Sequence, residues 1–184
     1  KDIKSSNILL DAKFRGKVAN FGLAKSTLDS EDQVTIHIMG TRGYMAPEYV
    51  SLGVVSPKTD VFALGVILLE ILSGEQAVLR DGVSNERFLY QVIGPLLDDD
   101  DDDDEGLNSK ERLKKWMDPR LQNAYPLDCA YSVACLAKLC VAEKPSERPN
   151  AREVGYTLGK LLTLSIEWEP STVSDYRPDH LEAR

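Results

Sequence analysis

The stretch Lys1–Gly22, KDIKSSNILLDAKFRGKVANFG, contains two polar clusters with a strand-turn-strand pattern between them. The first cluster is KDIKSSN at residues 1–7, and the second is NFG at residues 20–22. Ile8–Leu10 and Lys17–Ala19 are short apolar runs joined by a polar turn, which is typical of a β-hairpin. Because a hairpin brings its two ends together, we expect the two polar clusters to be neighbours in space.

The side chains of these clusters suit one kind of chemistry. The hairpin predicts that Asp2, Lys4 and Asn7 lie close to Asn20. A carboxylate that orients a hydroxyl group, together with a cation and metal-binding groups, is how a phosphoryl-transfer site is assembled. The sequence therefore predicts the remains of such a site at the start of the chain.

A single acidic run accounts for the charge of the chain. The net charge is −8, and Asp98–Glu105 supplies eight consecutive acidic residues. Without this run, 22 acidic residues balance 22 basic ones, so no basic surface for nucleic acid is predicted. The run has no apolar groups and its charges repel one another, so residues 98–106 are predicted to form a solvated insert loop. Recruitment of a basic partner is the alternative.

The length and composition indicate one globular domain. The chain has 184 residues, of which 42% are hydrophobic. Its cysteines Cys129, Cys135 and Cys140 lie in one apolar stretch without metal-ligand spacing, which favours reduced, buried thiols. The most apolar run, Val61–Leu72, is too short to span a membrane.

A buried central helix is predicted over residues 56–73. Ser56 and Pro57 form a helix start, and Gly74 provides the stop. Apolar residues cover all faces of this segment, which is typical of a buried helix. Periodicity and capping patterns predict further helices at residues 85–97, 108–117, 127–141 and 150–165, whereas residues 23–45 form a long surface loop and residues 167–184 a flexible tail. The predicted fold is mainly α with one small β-hairpin.

An ordered series of motifs gives the chain a family resemblance. D-x-K-x-x-N at residues 2–7 is followed by N-F-G at 20–22, G-T-x-x-Y-x-A-P-E at 40–48 and D-V-F-A-L-G at 60–65, and Arg148 precedes Pro149. In this order the motifs resemble the large C-terminal lobe of a eukaryotic protein kinase. The resemblance covers residues 1–166, with a catalytic loop at 1–7 and an activation segment at 20–48, and we expect a lobe without its N-terminal partner lobe.

The resemblance implies roles for individual residues. Asp2 matches the catalytic aspartate, and Lys4 the lysine that neutralises the transferred phosphate. Asn7 and Asn20 match the positions that hold metal ions, so ATP and Mg²⁺ are the implied cofactors. The remaining matched residues are Thr41 and Tyr44 in the substrate loop, Glu48 and Arg148 as an ion pair that joins this loop to the core, and Asp60 as an anchor of the catalytic loop.

The hydroxyl groups of the activation segment are candidate phosphorylation sites. Thr35 and Thr41 are the two that we single out. The alternative is that these hydroxyl groups only solvate a loop.

The departures from the family pattern bear on activity. Asn20 replaces the aspartate of D-F-G, and a neutral amide binds Mg²⁺ less well than a carboxylate does. The loss of one charge near the metal corresponds to about 4 kcal/mol at an effective dielectric of ~20, or roughly three decades in rate. Lys1 stands at the arginine position of H-R-D. No Gly-rich loop or nucleotide-binding lysine precedes it, so we expect a fragment that cannot bind ATP fully.

The C-terminal third is similar to plant LysM-domain receptor-like kinases. The similarity rests on MDPRL at residues 117–121, YPL at 125–127, LAK at 136–138 and IEWEPS at 166–171. The N-F-G variant is typical of the atypical branch of that family. This resemblance implies a kinase-like domain at the cytoplasmic face of the plasma membrane, within a receptor for chitin-type oligosaccharides.

Three functions follow as alternatives. The first is a pseudokinase scaffold that docks an active receptor-like kinase as co-receptor. The second is a weakly active Ser/Thr kinase that uses Asp2, Lys4 and Asn7. The third is a truncated product without a function of its own.

Overall fold

The computed structural model describes residues 2–22, 40–81, 85–98 and 107–168. The predictions for Lys1, for Thr35, for the acidic run after Asp98 and for the tail after Trp168 lie outside these residues. The helices are α1 (Pro47–Leu52), α2 (Pro57–Ser73), α3 (Ile93–Leu97), α4 (Ser109–Trp116), α5 (Leu127–Cys140) and α6 (Ala151–Ile166). The strands are β1 (Ile8–Leu10), β2 (Gly16–Val18), β3 (Val78–Asp81) and β4 (Asn85–Phe88).

Helix α2 is the axis of the core. The Ser56 hydroxyl oxygen accepts a hydrogen bond from the Lys58 amide at 3.2 Å, which caps the first turn. The helix ends at Gly74 in the left-handed region, at φ 72°. Phe62, Val66 and Leu69 are fully buried, and buried residues lie on several sides of α2, as expected for a helix that is apolar all round.

Small residues let α5 approach α2 closely. Ala134, Ala137 and Cys140 on α5 are fully buried. They face α2 where Gly65 lies, and a Cβ atom placed on Gly65 would be only 2.6 Å from the Cys140 Cβ atom. Helices α2 and α5 can therefore pack this closely only because Gly65 has no side chain. All three cysteines are free thiols.

The first hairpin forms where the sequence predicts it. Strands β1 and β2 are antiparallel, and Ile8 pairs with Val18. The second strand is Gly16–Val18, so it begins and ends one residue earlier than the pattern indicates. The Ala19 amide then donates to the Asn7 carbonyl at 2.8 Å, so the end of the hairpin meets the end of the catalytic loop.

The helix predicted over residues 85–97 is wrong in its first half. Residues Asn85–Phe88 form strand β4, which pairs antiparallel with β3 in the register Val78 to Phe88. A short 3-10 turn follows before α3 begins at Ile93. The strand is fixed by contacts distant in sequence, among them the ion pair between Arg42 and Glu86. The fold therefore has two small hairpins among its described residues, and not the single one expected.

The capping patterns of α4 and α6 are confirmed. Asn108 and Glu111 exchange hydrogen bonds at 3.0 Å in a capping box at the start of α4. Asn150 and Glu153 form the same arrangement at the start of α6. Helix α1 follows the substrate loop and was not anticipated from the sequence. Among the described helices, none combines the length and hydropathy needed to cross a lipid bilayer.

Candidate active site

The catalytic loop is built on one turn of 3-10 helix, Ser5–Asn7. The Asn7 amide donates to the Lys4 carbonyl at 3.0 Å and closes this turn. The Asn7 side chain is buried, with 9% of its surface exposed, and its Nδ2 atom donates to the Asp2 carbonyl at 2.8 Å. The loop is therefore held in shape by its own asparagine.

Asp2, Lys4 and Thr41 form a compact cluster. The Thr41 hydroxyl donates to Asp2 Oδ1 at 3.0 Å, and Lys4 Nζ donates to the Thr41 oxygen at 2.7 Å. Lys4 Nζ is also 3.1 Å from Asp2 Oδ2, which in addition accepts a bond from Asn7 Nδ2 at 3.2 Å. A hydroxyl that contacts both a carboxylate and an ammonium group has the arrangement that a phosphoryl acceptor needs.

These contacts keep Asp2 ionised. Burial by itself raises the pKa of the Asp2 carboxyl. The hydrogen bonds from Lys4, Thr41 and Asn7, with the positive charge of Lys4, outweigh this effect, so the pKa lies below its ordinary value. At neutral pH the group is a carboxylate that can accept a proton or orient a hydroxyl.

Asn20 directly follows Ala19, whose amide donates a hydrogen bond to the Asn7 carbonyl. Its backbone is in the left-handed region, at φ 61°, which asparagine tolerates better than most residues. Asn20 is exposed, and the following Phe21 has 69% of its surface exposed. The structure thus brings Asp2, Lys4, Asn7 and Thr41 together, and the backbone contact of Ala19 with Asn7 places the next residue, Asn20, beside this group.

Tyr44 links the substrate loop to the core. Its hydroxyl donates to Glu70 Oε1 at 2.6 Å and lies 3.0 Å from the Ser5 hydroxyl. Burial and the bond to Glu70 raise the pKa of Tyr44 to about 12, so the phenol stays protonated at neutral pH. Glu70 Oε1 also accepts from the Ala77 amide at 3.2 Å. Sequence reasoning missed Ser5 and Glu70, since no local pattern marks them.

Glu48 and Arg148 form a buried two-pronged ion pair, as expected. Arg148 Nη1 and Nη2 lie 2.7 Å from Glu48 Oε1 and Oε2, and the Arg148 side chain is 0% exposed. The remaining N–H groups of Arg148 donate to the carbonyls of Ala142, Lys58 and Glu143. Every guanidinium donor therefore has a partner, which a buried charge requires.

Of the two candidate metal ligands, Asn20 is the one that departs from what Mg²⁺ prefers. Asn7 donates its amide nitrogen to Asp2, which leaves its side-chain oxygen available to a metal ion, whereas Asn20 offers a neutral amide where the family has a carboxylate. Among the described residues, no three His, Cys, Asp or Glu side chains are grouped closely enough to hold a metal ion. We therefore assign no metal-dependent step to these residues. Asp60 lies in the first turn of α2, and its anchoring role stays a prediction.

The fold and this site define the C-terminal lobe of a protein-kinase-like domain, with α2 as its axis and the catalytic loop at one edge. The chain matches the protein kinase domain over residues 1–156, so it belongs to the protein kinase family. Kinases of this family use ATP with Mg²⁺.

Several relatives carry LysM in their names. Protein LYK5 of Arabidopsis thaliana is 47% identical over 178 residues, which is 93% of this chain and 26% of the relative. LysM domain receptor-like kinase 3 of Arabidopsis thaliana is 43% identical over 177 residues, covering 92% of this chain and 26% of the relative. Chitin elicitor receptor kinase 1 of Physcomitrium patens is 41% identical over 180 residues, covering 92% and 27%. The chain thus spans about a quarter of the length of these relatives.

Proposed function

We propose that this chain is part of a pseudokinase scaffold in a LysM receptor-like protein. It would lie at the cytoplasmic face of the plasma membrane, dock an active receptor-like kinase and be phosphorylated by it during perception of chitin-type oligosaccharides. The names of LysM receptor-like and chitin elicitor relatives support the setting.

One observation carries the scaffold proposal. The supports of the lobe are intact, including the buried pair of Glu48 and Arg148 and the cluster around Asp2, whereas position 20 has lost its carboxylate. A charge lost beside Mg²⁺ corresponds to about 4 kcal/mol at an effective dielectric of ~20. The side chains that stabilise the lobe are therefore present, whereas the carboxylate that would hold the metal ion is replaced by the amide of Asn20.

A comparison of two variants tests this proposal. The full cytoplasmic domain that contains this chain is purified, and Mg²⁺-dependent phosphorylation from ATP is measured with and without Asn20→Asp. We expect no activity for the natural sequence and a gain of roughly three decades for Asn20→Asp. The double variant with Asp2→Ala should lose that gain, which shows that the activity belongs to this site.

The second candidate function is a weakly active Ser/Thr kinase. It is favoured by the contact of the Thr41 hydroxyl with both Asp2 and Lys4, because these two side chains are then close enough to contact a single hydroxyl group. Robust phosphorylation by the natural sequence that disappears in Asp2→Ala would establish this function and contradict the scaffold proposal. A truncated product, the third alternative, is tested by finding whether coding sequence upstream of Lys1 supplies an N-terminal lobe.

A further inference from the structure

The turn of the first hairpin, between β1 and β2, carries an aromatic side chain that projects into solvent. Residues 12–18 are all exposed, and Phe14 has 80% of its surface exposed, more than any other large hydrophobic residue among the described ones. One exposed apolar side chain is common on a protein surface and does not by itself mark a site. The backbone of Phe14 and the charges around it are the features that set this residue apart.

Phe14 occupies a backbone position that suits other residue types better. Its φ is 57°, in the left-handed region, where a bulky side chain is strained and glycine or asparagine is favoured. Hairpin loops usually place glycine at such a position. Strained residues persist where the surrounding structure holds them, and they are concentrated at sites of function. Since neither the turn nor burial explains a phenylalanine here, a contact with another molecule is the explanation that we pursue.

Asp11 holds the turn in one conformation. Its Oδ1 atom accepts hydrogen bonds from the amides of Lys13 at 2.9 Å and Arg15 at 3.0 Å. Its carbonyl accepts from the Phe14 amide at 2.9 Å, and its Oδ2 atom lies 2.7 Å from Arg15 Nε. The ring of Phe14 is therefore presented on a preorganised support, which lowers the entropic cost of a contact.

The turn is positively charged on a chain that is negative overall. Residues 8–18 contain Lys13, Arg15 and Lys17 against the one acidic residue Asp11. Arg15 is paired with Asp11, whereas within the described ranges the ammonium groups of Lys13 and Lys17 have neither an ion pair nor a hydrogen bond. Charges separated by more than about 8 Å are largely screened at physiological ionic strength. A surface that meets the turn therefore responds to these two lysines more than to the net charge of −8.

We propose that this turn is a contact site for an anionic lipid surface, into which Phe14 inserts while Lys13 and Lys17 face the headgroups. Aromatic rings beside lysines are typical of segments that bind at the lipid interface, where the lysine stems lie along the apolar layer. A protruding turn fits a flat surface, whereas a peptide partner needs a groove or a sheet edge. The inference goes beyond the scaffold function and rests on it only for the setting beside a membrane.

Co-sedimentation with lipid vesicles tests the site. The full cytoplasmic domain that contains this chain is mixed, in EDTA and without nucleotide, with vesicles of phosphatidylcholine alone or with phosphatidylserine. We expect binding to the vesicles that contain phosphatidylserine, and this binding should weaken as salt is added. Phe14→Asn should lower the affinity on the order of tenfold, and so should the double variant Lys13→Gln with Lys17→Gln.

A second double variant is the control for charge. Lys114→Gln with Arg152→Gln removes the same two positive charges at exposed positions outside the hairpin. An equal loss of vesicle binding in this control would show that binding depends on overall charge and would overturn the proposal. An unchanged affinity in Phe14→Asn would also overturn it.

Thermal unfolding separates a lipid contact from a role in packing. Asparagine tolerates the left-handed backbone better than phenylalanine does, so Phe14→Asn should unfold at the same temperature as the natural sequence or at a higher one. A lower unfolding temperature would show that Phe14 packs against protein in the full domain, and the proposal would fail.

Two further outcomes distinguish the alternatives. If a labelled peptide of glutamate and serine binds through Lys13 and Lys17 while vesicles do not bind, the partner is an acidic protein segment and the proposal fails. Vesicle binding needs neither nucleotide nor Mg²⁺. Kinase activity of the natural sequence would therefore contradict the scaffold function alone, and a lack of vesicle binding would contradict the lipid contact alone.

Discussion

At the scale of single residues, Asp2 shows how three neighbours set the charge of a candidate catalytic group. Its carboxylate accepts from Thr41 at one oxygen and from Lys4 and Asn7 at the other. Each donor stabilises the ionised form more than the protonated form. The motif D-x-K-x-x-N supplies two of these neighbours, whereas Thr41 comes from a loop 39 residues away.

Removal of the Thr41 hydroxyl should raise the pKa of Asp2. Because the pKa of Asp2 is lower in the folded state than in the unfolded state, its carboxylate stabilises the fold at pH values above the ordinary pKa of 3.8. This stabilisation is lost as the pH falls through the folded-state pKa. Thr41→Val should therefore shift the carboxyl titration upward and reduce the stability gained above that pH. NMR of the Asp2 carboxyl carbon measures this pKa. The control variant Ser6→Ala, in the catalytic loop that contains Asp2, should leave the pKa of Asp2 unchanged. An unchanged titration in Thr41→Val would contradict the assigned hydrogen bond.

At the scale of elements, the contact between α2 and α5 depends on a missing side chain. Gly65 lies in a helix, where glycine by itself is unfavourable relative to alanine. The Cβ atom that alanine would add lies 2.6 Å from the Cys140 Cβ atom and 2.8 Å from Val141 Cγ1. Overpacking therefore outweighs the helix preference at this position.

Gly65→Ala should lower the free energy of unfolding by about 1–3 kcal/mol. Gly155→Ala in α6 is the matched control, because nothing lies within 4 Å of the added Cβ atom. The control should raise stability by roughly 0.4–1 kcal/mol, since alanine has less conformational entropy to lose. Urea denaturation measures both variants. Equal effects at the two glycines would show that α2 and α5 do not pack as described.

The second hairpin explains why local sequence reasoning failed between residues 78 and 97. Its strands are short, and β4 carries two charged residues, so no apolar alternation marks it. Strand β4 is held by pairing with β3, by the ion pair of Arg42 with Glu86 and by the stacked rings of Phe88 and Tyr90. Of these contacts, only the ion pair of Arg42 with Glu86 joins segments that are too far apart for a periodicity window to compare.

At the scale of the whole molecule, one arginine contacts residues from distant parts of the chain. Arg148 contacts Glu48, which is 100 residues earlier in the sequence, and the Lys58 carbonyl at the start of α2. Its Cζ atom also lies 5.0 Å from the centroid of the Phe62 ring. If one charge of such a buried ion pair is removed, the other charge stays buried without a partner.

Arg148→Met should lower the free energy of unfolding by about 3–5 kcal/mol, because Glu48 would remain buried without its partner. The double variant with Glu48→Gln should be less destabilised than the single variant, since it contains no unpaired buried charge. Arg152→Met is the control at an exposed position, with an expected change within about 0.5 kcal/mol. Denaturant titration of the four proteins measures these differences. A loss below 1 kcal/mol for Arg148→Met would contradict the assigned role.

The sequence by itself determined the kinase-like lobe, its buried axis α2, the helix caps at Ser56, Asn108 and Asn150, and the catalytic loop. These features are encoded locally, by residue types that set backbone preference and by motifs with fixed spacing. Only the tertiary structure decided the second hairpin, the contact of Thr41 with Asp2 and the burial of Glu70. Apart from the strand pairing within the second hairpin, each of these depends on residues distant in the chain that packing brings close together, and no local pattern encodes such distances.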